Sequence, residues 1–160
     1  MVALFQRFSV MVVVLTICLF VAQILPASDQ KSDLEKLFRE GSCPNGNFRG
    51  MVIKNLKTRK NANLQGADFT GAKLYNCRFF DANFEQACFE KAEMKNVIFL
   101  RSQVNNADFS SANMLNVVFD KSSVRKTKFM RIQAEKSHFW GSDLSDTNFV
   151  LSNFIKADFS

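Results

Sequence analysis

Few residues in this chain are suited to chemistry. His138 is the only histidine, and the four cysteines, Cys18, Cys43, Cys77 and Cys88, form no pair at metal-ligand spacing with it or with each other. The nearest approach to a catalytic pair is His138 with Asp158, twenty residues further on. A histidine base held by a carboxylate needs a hydroxyl or thiol to activate, and none is placed to complete such a set. The pair is therefore expected to decorate the surface. The sequence reads as non-catalytic, with no catalytic, cofactor-binding or metal-binding residue assigned and no cofactor implied.

The order in the chain lies instead in the sizes of its side chains. From Leu64 onward every fifth residue is apolar or small: Phe69, Leu74, Phe79, Phe84, and so on to Phe159. The residue two before each is small or modest, as in Ala62, Ala67, Ala72, Cys77 and Ala82. Ile132 breaks the size rule, but it stands beside the small Ala134, so the two have exchanged volumes. A period of five fits neither a helix of 3.6 residues per turn nor a strand of period two. It fits a chain that turns a corner every five residues and sends one large and one small side chain inward on each side. Stacked coils then bury what one coil cannot. The composition agrees, with 18 Phe against one Trp and one Tyr. Matching improves at twenty residues, where positions 69, 89, 109, 129 and 149, and again 79, 99, 119, 139 and 159, are all Phe. Four sides per coil explain this, with two opposite sides carrying unbroken Phe columns about 4.8 Å from coil to coil.

Ala62-Asn63-Leu64-Gln65-Gly66, Ala67-Asp68-Phe69-Thr70-Gly71 and Ala82-Asn83-Phe84-Glu85-Gln86 resemble the A-(D/N)-(L/F)-x-x motif of the pentapeptide-repeat family. The resemblance runs from Ala62 to Ser160. It implies an all-β fold, a right-handed quadrilateral β-helix of about five coils of 20 residues. Local irregularity is expected between Thr127 and Ala134, where the motif is weakest. Cys43-Pro44-Asn45-Gly46-Asn47-Phe48 resembles the Cys-x-x-Cys lead-in of some members, with Gly46 in place of the second Cys.

Ahead of the solenoid, Ser32 to Gly41 reads as a short capping helix. Ser32 caps it, Glu35 completes a capping box and Gly41 ends it. Leu34, Leu37 and Phe38 form its apolar face, suited to covering the exposed backbone edge of the first coil. Arg49 to Lys60 is off register and reads as an irregular first coil, so residues 28–61 form a leading segment and 62–160 the solenoid. Phe8 to Leu25 is uncharged, with Arg7 the only side-chain charge before it, and Pro26-Ala27-Ser28 break the run. Residues 1–27 are thus an export signal, either a cleaved signal peptide or an uncleaved signal anchor. A cleaved chain would be periplasmic or extracellular, and an uncleaved one membrane-anchored. Cys77 points inward and Cys88 outward on different sides, so no disulfide is expected within the solenoid. Cys43 and Cys88 are left as free thiols, or Cys88 as a link between two chains.

With chemistry set aside, function must reside on the outer surface. The side of Phe79, Phe99, Phe119 and Phe139 presents Phe80, Ile98, Leu100, Val118 and Trp140, whereas the side of Leu64 presents Asn63, Gln65, Asn83 and Glu85. The greasy side is the candidate contact site for a protein partner; the alternative is that these residues pack under their neighbours. Lys121, Arg125, Lys126, Lys128, Arg131 and Lys136 crowd one coil and would suit a membrane surface or an acidic partner, or simply be solvated. Asn76, Asn96 and Asn116 recur at one corner as a structural ladder. The chain stops in mid-pattern at Phe159-Ser160, which suggests a homodimer through the C-terminal coil, or a truncated sequence. The leading expectation is an exported binding or scaffold module. The resemblance also brings DNA-mimicking topoisomerase binding, a role of some members, but the net charge of +6 and the export signal oppose it and make nucleic acid an unfavoured partner. An enzyme is a distant third.

Overall fold

The computed structural model describes residues 28–160; the predicted export signal, residues 1–27, lies outside them. A helix α1 (Ser28–Glu40) precedes eight three-residue strands: β1 (Val52–Lys54), β2 (Lys73–Tyr75), β3 (Arg78–Phe80), β4 (Glu93–Lys95), β5 (Ile98–Leu100), β6 (Asn113–Leu115), β7 (Gln133–Glu135) and β8 (Asn153–Ile155). Strands β1, β2, β4, β6, β7 and β8 form one parallel sheet, and β3 pairs with β5 in another. On the remaining sides the coils meet through single parallel bridges, such as Asp68 with Cys88, Cys88 with Asp108 and Asp108 with Lys128. Together these sides make a parallel β-solenoid with a short N-terminal helix.

Each side is five residues long because the backbone turns through a left-handed residue at every fifth position. From Gly66 and Gly71 to Lys156, these corner residues have φ between +53° and +66°. Only some are Gly, Asn or Asp, which adopt that conformation cheaply; for others it costs about 1–2 kcal/mol each. Hydrogen bonds offset the cost. The corner N–H donates to the next coil, as from Asn76 to the Lys95 carbonyl at 2.9 Å. At many corners the following residue also donates back across the turn, as from Ala72 to the Phe69 carbonyl at 2.9 Å, the pattern of a type II turn. The Asp or Asn before the large residue has its own task. The Asp68 carboxylate accepts the Thr70 N–H at 2.9 Å, Asn83 that of Glu85 at 2.9 Å, and Asp108 that of Ser110 at 2.9 Å.

Inside, the two Phe columns are continuous. Phe48, Phe69, Phe89, Phe109, Phe129 and Phe149 stack at 4.6–5.5 Å between ring centroids. Phe79, Phe99, Phe119, Phe139 and Phe159 stack at 5.0–5.3 Å. The columns meet edge to face, as for Phe109 and Phe119 at 5.5 Å and 87°. Both arrangements suit the ring quadrupole. Irregularity expected between Thr127 and Ala134 does not occur: Ile132 and Ala134 are both buried, and β7 pairs in register with β6 and β8. Their summed volume fills the side as well as the usual small-large pair does.

The first coil explains the off-register stretch. Lys57 bridges Arg78, an offset of 21 residues, while Asn63 bridges Asn83 at the usual 20. One extra residue therefore sits at the corner between Thr58 and Ala62, and the preceding positions follow the pattern once shifted by one. Phe48 tops a Phe column, and Ile53 lies in the core. Gly46 is required there, since a Cβ would stand 2.7 Å from both the Cys43 Sγ and the Phe48 ring. Helix α1 lies over this coil, burying Leu37 and packing Leu34 against the core. Asp33 accepts the Asn47 N–H at 2.7 Å. The helix starts earlier than expected, so Ser32 and Glu35 lie within it and form no capping box. Phe38 is 59% exposed and does not belong to the buried face, because Leu34 and Leu37 already fill the coil opening.

In the later coils Ser and Thr replace Ala at small positions and join coils internally. The Ser122 hydroxyl accepts the Ser102 N–H at 3.0 Å and donates to the Phe99 carbonyl at 2.5 Å. Ser137 is equally buried, yet its hydroxyl has no partner. Ser122→Ala should thus cost about 1–3 kcal/mol by orphaning a buried N–H, whereas Ser137→Ala should cost nothing. Denaturant unfolding of the two variants checks this, and equal losses would contradict it.

A candidate partner-binding face

The Phe79–Phe139 side carries two outward rows. Arg78, Ile98, Val118 and His138 succeed one another in one row, each bridged to the next, and end at Asp158. Phe80, paired with Leu100 in the β3–β5 sheet, begins the other row, which continues through Asp120 and Trp140. All five expected contact residues therefore lie on one face. Phe80, Ile98, Leu100 and Val118 are half-buried by neighbouring coils, and Trp140 is 49% exposed. Asp120 interrupts the stripe for a structural reason, as its carboxylate accepts the Trp140 N–H at 3.1 Å. Lys121 lies 4.5 Å from the centroid of the Trp140 ring, holding the indole by a cation–π contact.

Two polar borders frame the stripe. On one side the Asn corner forms a chain of amides: Asn76 donates to Asn55 at 3.4 Å, Asn96 to Asn76 at 3.0 Å and Asn116 to Asn96 at 3.0 Å. Between this ladder and Arg78, Ile98 and Val118 runs a shallow groove of about 220 Å³. On the other side Arg101 binds Asp81 through two bonds, at 2.6 and 3.1 Å. This pair draws the Arg101 guanidinium toward the corner, away from the stripe.

The expected His138–Asp158 contact is present only as a 4.0 Å approach between exposed side chains. Among the described residues, no group of His, Cys, Asp and Glu is placed to hold a metal ion, and no helix is long and apolar enough to cross a membrane. The basic cluster does not form one patch. Lys121, Lys126, Arg131 and Lys136 occupy four successive corners of a single coil and so point to its four edges. Arg125, Lys128 and Lys136 also have carboxylates at 3.7, 3.3 and 3.5 Å. Sequence adjacency suggested a patch, but a coil of twenty residues spreads neighbours around its circumference.

Residues 72–149 match the family described as "Pentapeptide repeat region". No curated protein matches the chain by sequence. Among solved structures, the chain is similar to Rfr23, a pentapeptide repeat protein from the cyanobacterium Cyanothece 51142. Identity is 14%, coverage 81% of this chain and 99% of that one, and TM-score 0.46. Similarity to QnrB1, a plasmid-mediated fluoroquinolone resistance protein, is 17% identity over 69% of this chain and 65% of that one, TM-score 0.49. A pentapeptide repeat protein of the Arabidopsis thaliana thylakoid lumen is 24% identical over 71% of this chain and 68% of that one, TM-score 0.44.

The thiols are unequal. Among the described residues, Cys43 and Cys77 are buried and Cys88 is half-buried, and the three form no disulfide with one another. Burial, with a smaller push from the Asp33 carboxylate, raises the Cys43 thiol to about 11, and burial raises that of Cys77 as well. Burial and the raised thiols disfavour the thiolate at Cys43 and Cys77, so among the described cysteines alkylation near pH 8 followed by peptide mass spectrometry should modify Cys88 ahead of them. Cys43 and Cys77 should react only after denaturation. Rapid labelling of Cys43 in the folded chain would show that α1 does not close the first coil.

Proposed function

Residues 72–149 belong to the pentapeptide-repeat family, and from that premise we propose that this chain is an exported, non-catalytic binding or scaffold module that holds a protein partner on the face of Phe80, Ile98, Leu100, Val118 and Trp140. One observation carries the reading: five large apolar side chains share one face over four successive coils, and Trp140 is 49% exposed. Aromatic and aliphatic side chains grouped on a rigid surface are what a partner's hot spot needs, and rigidity keeps the ordering cost of binding low. The face opposite in character, around Asn63, Asn83 and Gln103, supplies no such anchors. A DNA-mimicking role finds no support in charge, since Lys and Arg number 21 against 15 Asp and Glu. The export part of the proposal rests on the uncharged stretch Phe8–Leu25.

A photo-crosslinker placed at position 118 should recover a partner from the envelope fraction of the native host. Leu100→Asp or Trp140→Asp should cut that yield at least tenfold, with unchanged thermal unfolding, because each buries a charge at the interface core. Gln103→Asp on the polar face should leave it intact. Equal yields from all three variants would refute the assignment of the face. A chain recovered only from the cytosol would refute export.

A further inference from the structure

A run of cations without an intervening anion stands at the capped end of the solenoid. Between Gly41 and Ala67 stand five cations, Arg49, Lys54, Lys57, Arg59 and Lys60, and no anion. Arg49 is held by Asp68 at 2.8 Å, and Lys54 lies 5.8 Å from the centroid of the Tyr75 ring. Lys57, Arg59 and Lys60 have no carboxylate within 4.0 Å among the described residues. Arg78, bridged directly below Lys57, is likewise without one. Asp81, one coil below Lys60, is bonded to Arg101, and Lys60 adds only a weaker, longer-range pull on its carboxylate.

The geometry that gathers these cations is specific to this coil. Its extra corner residue lies between Thr58 and Ala62, in the loop that carries Arg59 and Lys60. The extra residue lengthens this corner and so changes the direction of the side chains it carries relative to the coils below. The Arg59 alkyl chain runs past the end of α1, with carbons 3.2–3.3 Å from where a Gly41 Cβ would lie, which fixes it at the rim. Like charges placed side by side repel unless an anion is shared among them.

We propose that Lys57, Arg59, Lys60 and Arg78 form a docking site for the anionic headgroups of a lipid bilayer, so that the solenoid meets the membrane with its capped end. Lipid is favoured over an acidic peptide by two features of the same end. Phe38 and Val52 are exposed at this end, at 59% and 56%, Val52 on the neighbouring side of the coil, and exposed apolar side chains at the same end as cations suit the headgroup boundary. In the sequence, the uncharged stretch Phe8–Leu25 also ends only a few residues before α1, the helix that packs on this coil, so such a stretch held in a bilayer would bring these cations near its headgroups, where anionic lipid attracts each of them. The site shares none of the five residues assigned to the protein partner, but it lies on the same side of the solenoid, since Lys57 and Arg78 head the row of Ile98 and Val118; a loss of vesicle binding with partner crosslinking retained therefore separates the two.

The test is partitioning of the full-length chain onto phosphatidylcholine vesicles with and without phosphatidylglycerol. Wild type should prefer the anionic vesicles, each cation contributing about fivefold near such a surface. Lys57→Gln, Arg59→Gln, Lys60→Gln and Arg78→Gln combined should lower the anionic-to-neutral ratio at least tenfold. Removing four cations elsewhere, by Lys95→Gln, Lys126→Gln, Arg131→Gln and Lys156→Gln, should leave most of the preference intact. Gln is tolerated at the corners, as Gln86 shows with φ 60°. The proposal is overturned if wild type shows no preference or if both quadruple variants lose it equally. It is also overturned if polyglutamate, at equal charge, binds the capped end more tightly than the vesicles do.

Discussion

A side of five residues can turn only two side chains inward, and the coil spacing fixes the space they share. The rest of the structure follows from this constraint. One large and one small residue fill the space, so each Phe lies over a Phe one coil away wherever two sides meet across the narrow interior. The stacked and edge-to-face contacts of the two columns are the consequence. A left-handed corner every fifth residue keeps the sides short, and the hydrogen bonds between coils hold those corners in place. Neither element is stable alone, since a single coil leaves both its ring faces and its backbone edges uncovered.

The same constraint assigns function to the outside. Three of every five side chains face outward on a backbone that cannot flex much, so rows of residues twenty apart become surfaces. Apolar residues in two neighbouring rows give the stripe from Phe80 to Trp140, and Asn at a corner gives an amide chain beside it. Cations are harder to gather, because successive corners point in different directions. The coil of Lys121–Lys136 shows the dispersal, and the coil of Lys57–Lys60 shows how one additional corner residue, with Arg78 below, overcomes it.

How much of this was legible in the sequence depends on whether a feature respects the period. The four sides, the Phe columns, the Asn ladder and the shared face of Phe80, Ile98, Leu100, Val118 and Trp140 all repeat at twenty residues, and each stood in the sequence as an interval. The first coil was obscured because one residue at its corner shifts Phe48 and Ile53 out of step with Phe69 and Leu74. Phe38 was assigned to the wrong side of its helix, since spacing alone does not reveal that Leu34 and Leu37 suffice to close the coil. Nor could it reveal which cations have carboxylates beside them, because those partners lie one coil away. The Asp or Asn of the repeat was visible as a preference, but its bond to the N–H two residues on required the turn geometry.

Ile132 and Ala134 offer the most direct test of the shared-space constraint, because there the chain has already exchanged large for small. A double-mutant cycle on these positions, followed by denaturant unfolding, separates a volume rule from a rule about residue types at fixed positions. Ile132→Ala should cost about 2–5 kcal/mol by leaving a cavity, and Ala134→Leu about 1–3 kcal/mol by overfilling the side. If each side must hold a fixed volume, the double variant should return to within about 1 kcal/mol of wild type, a strongly non-additive result. Additive losses would contradict the account and show that each position is selected on its own.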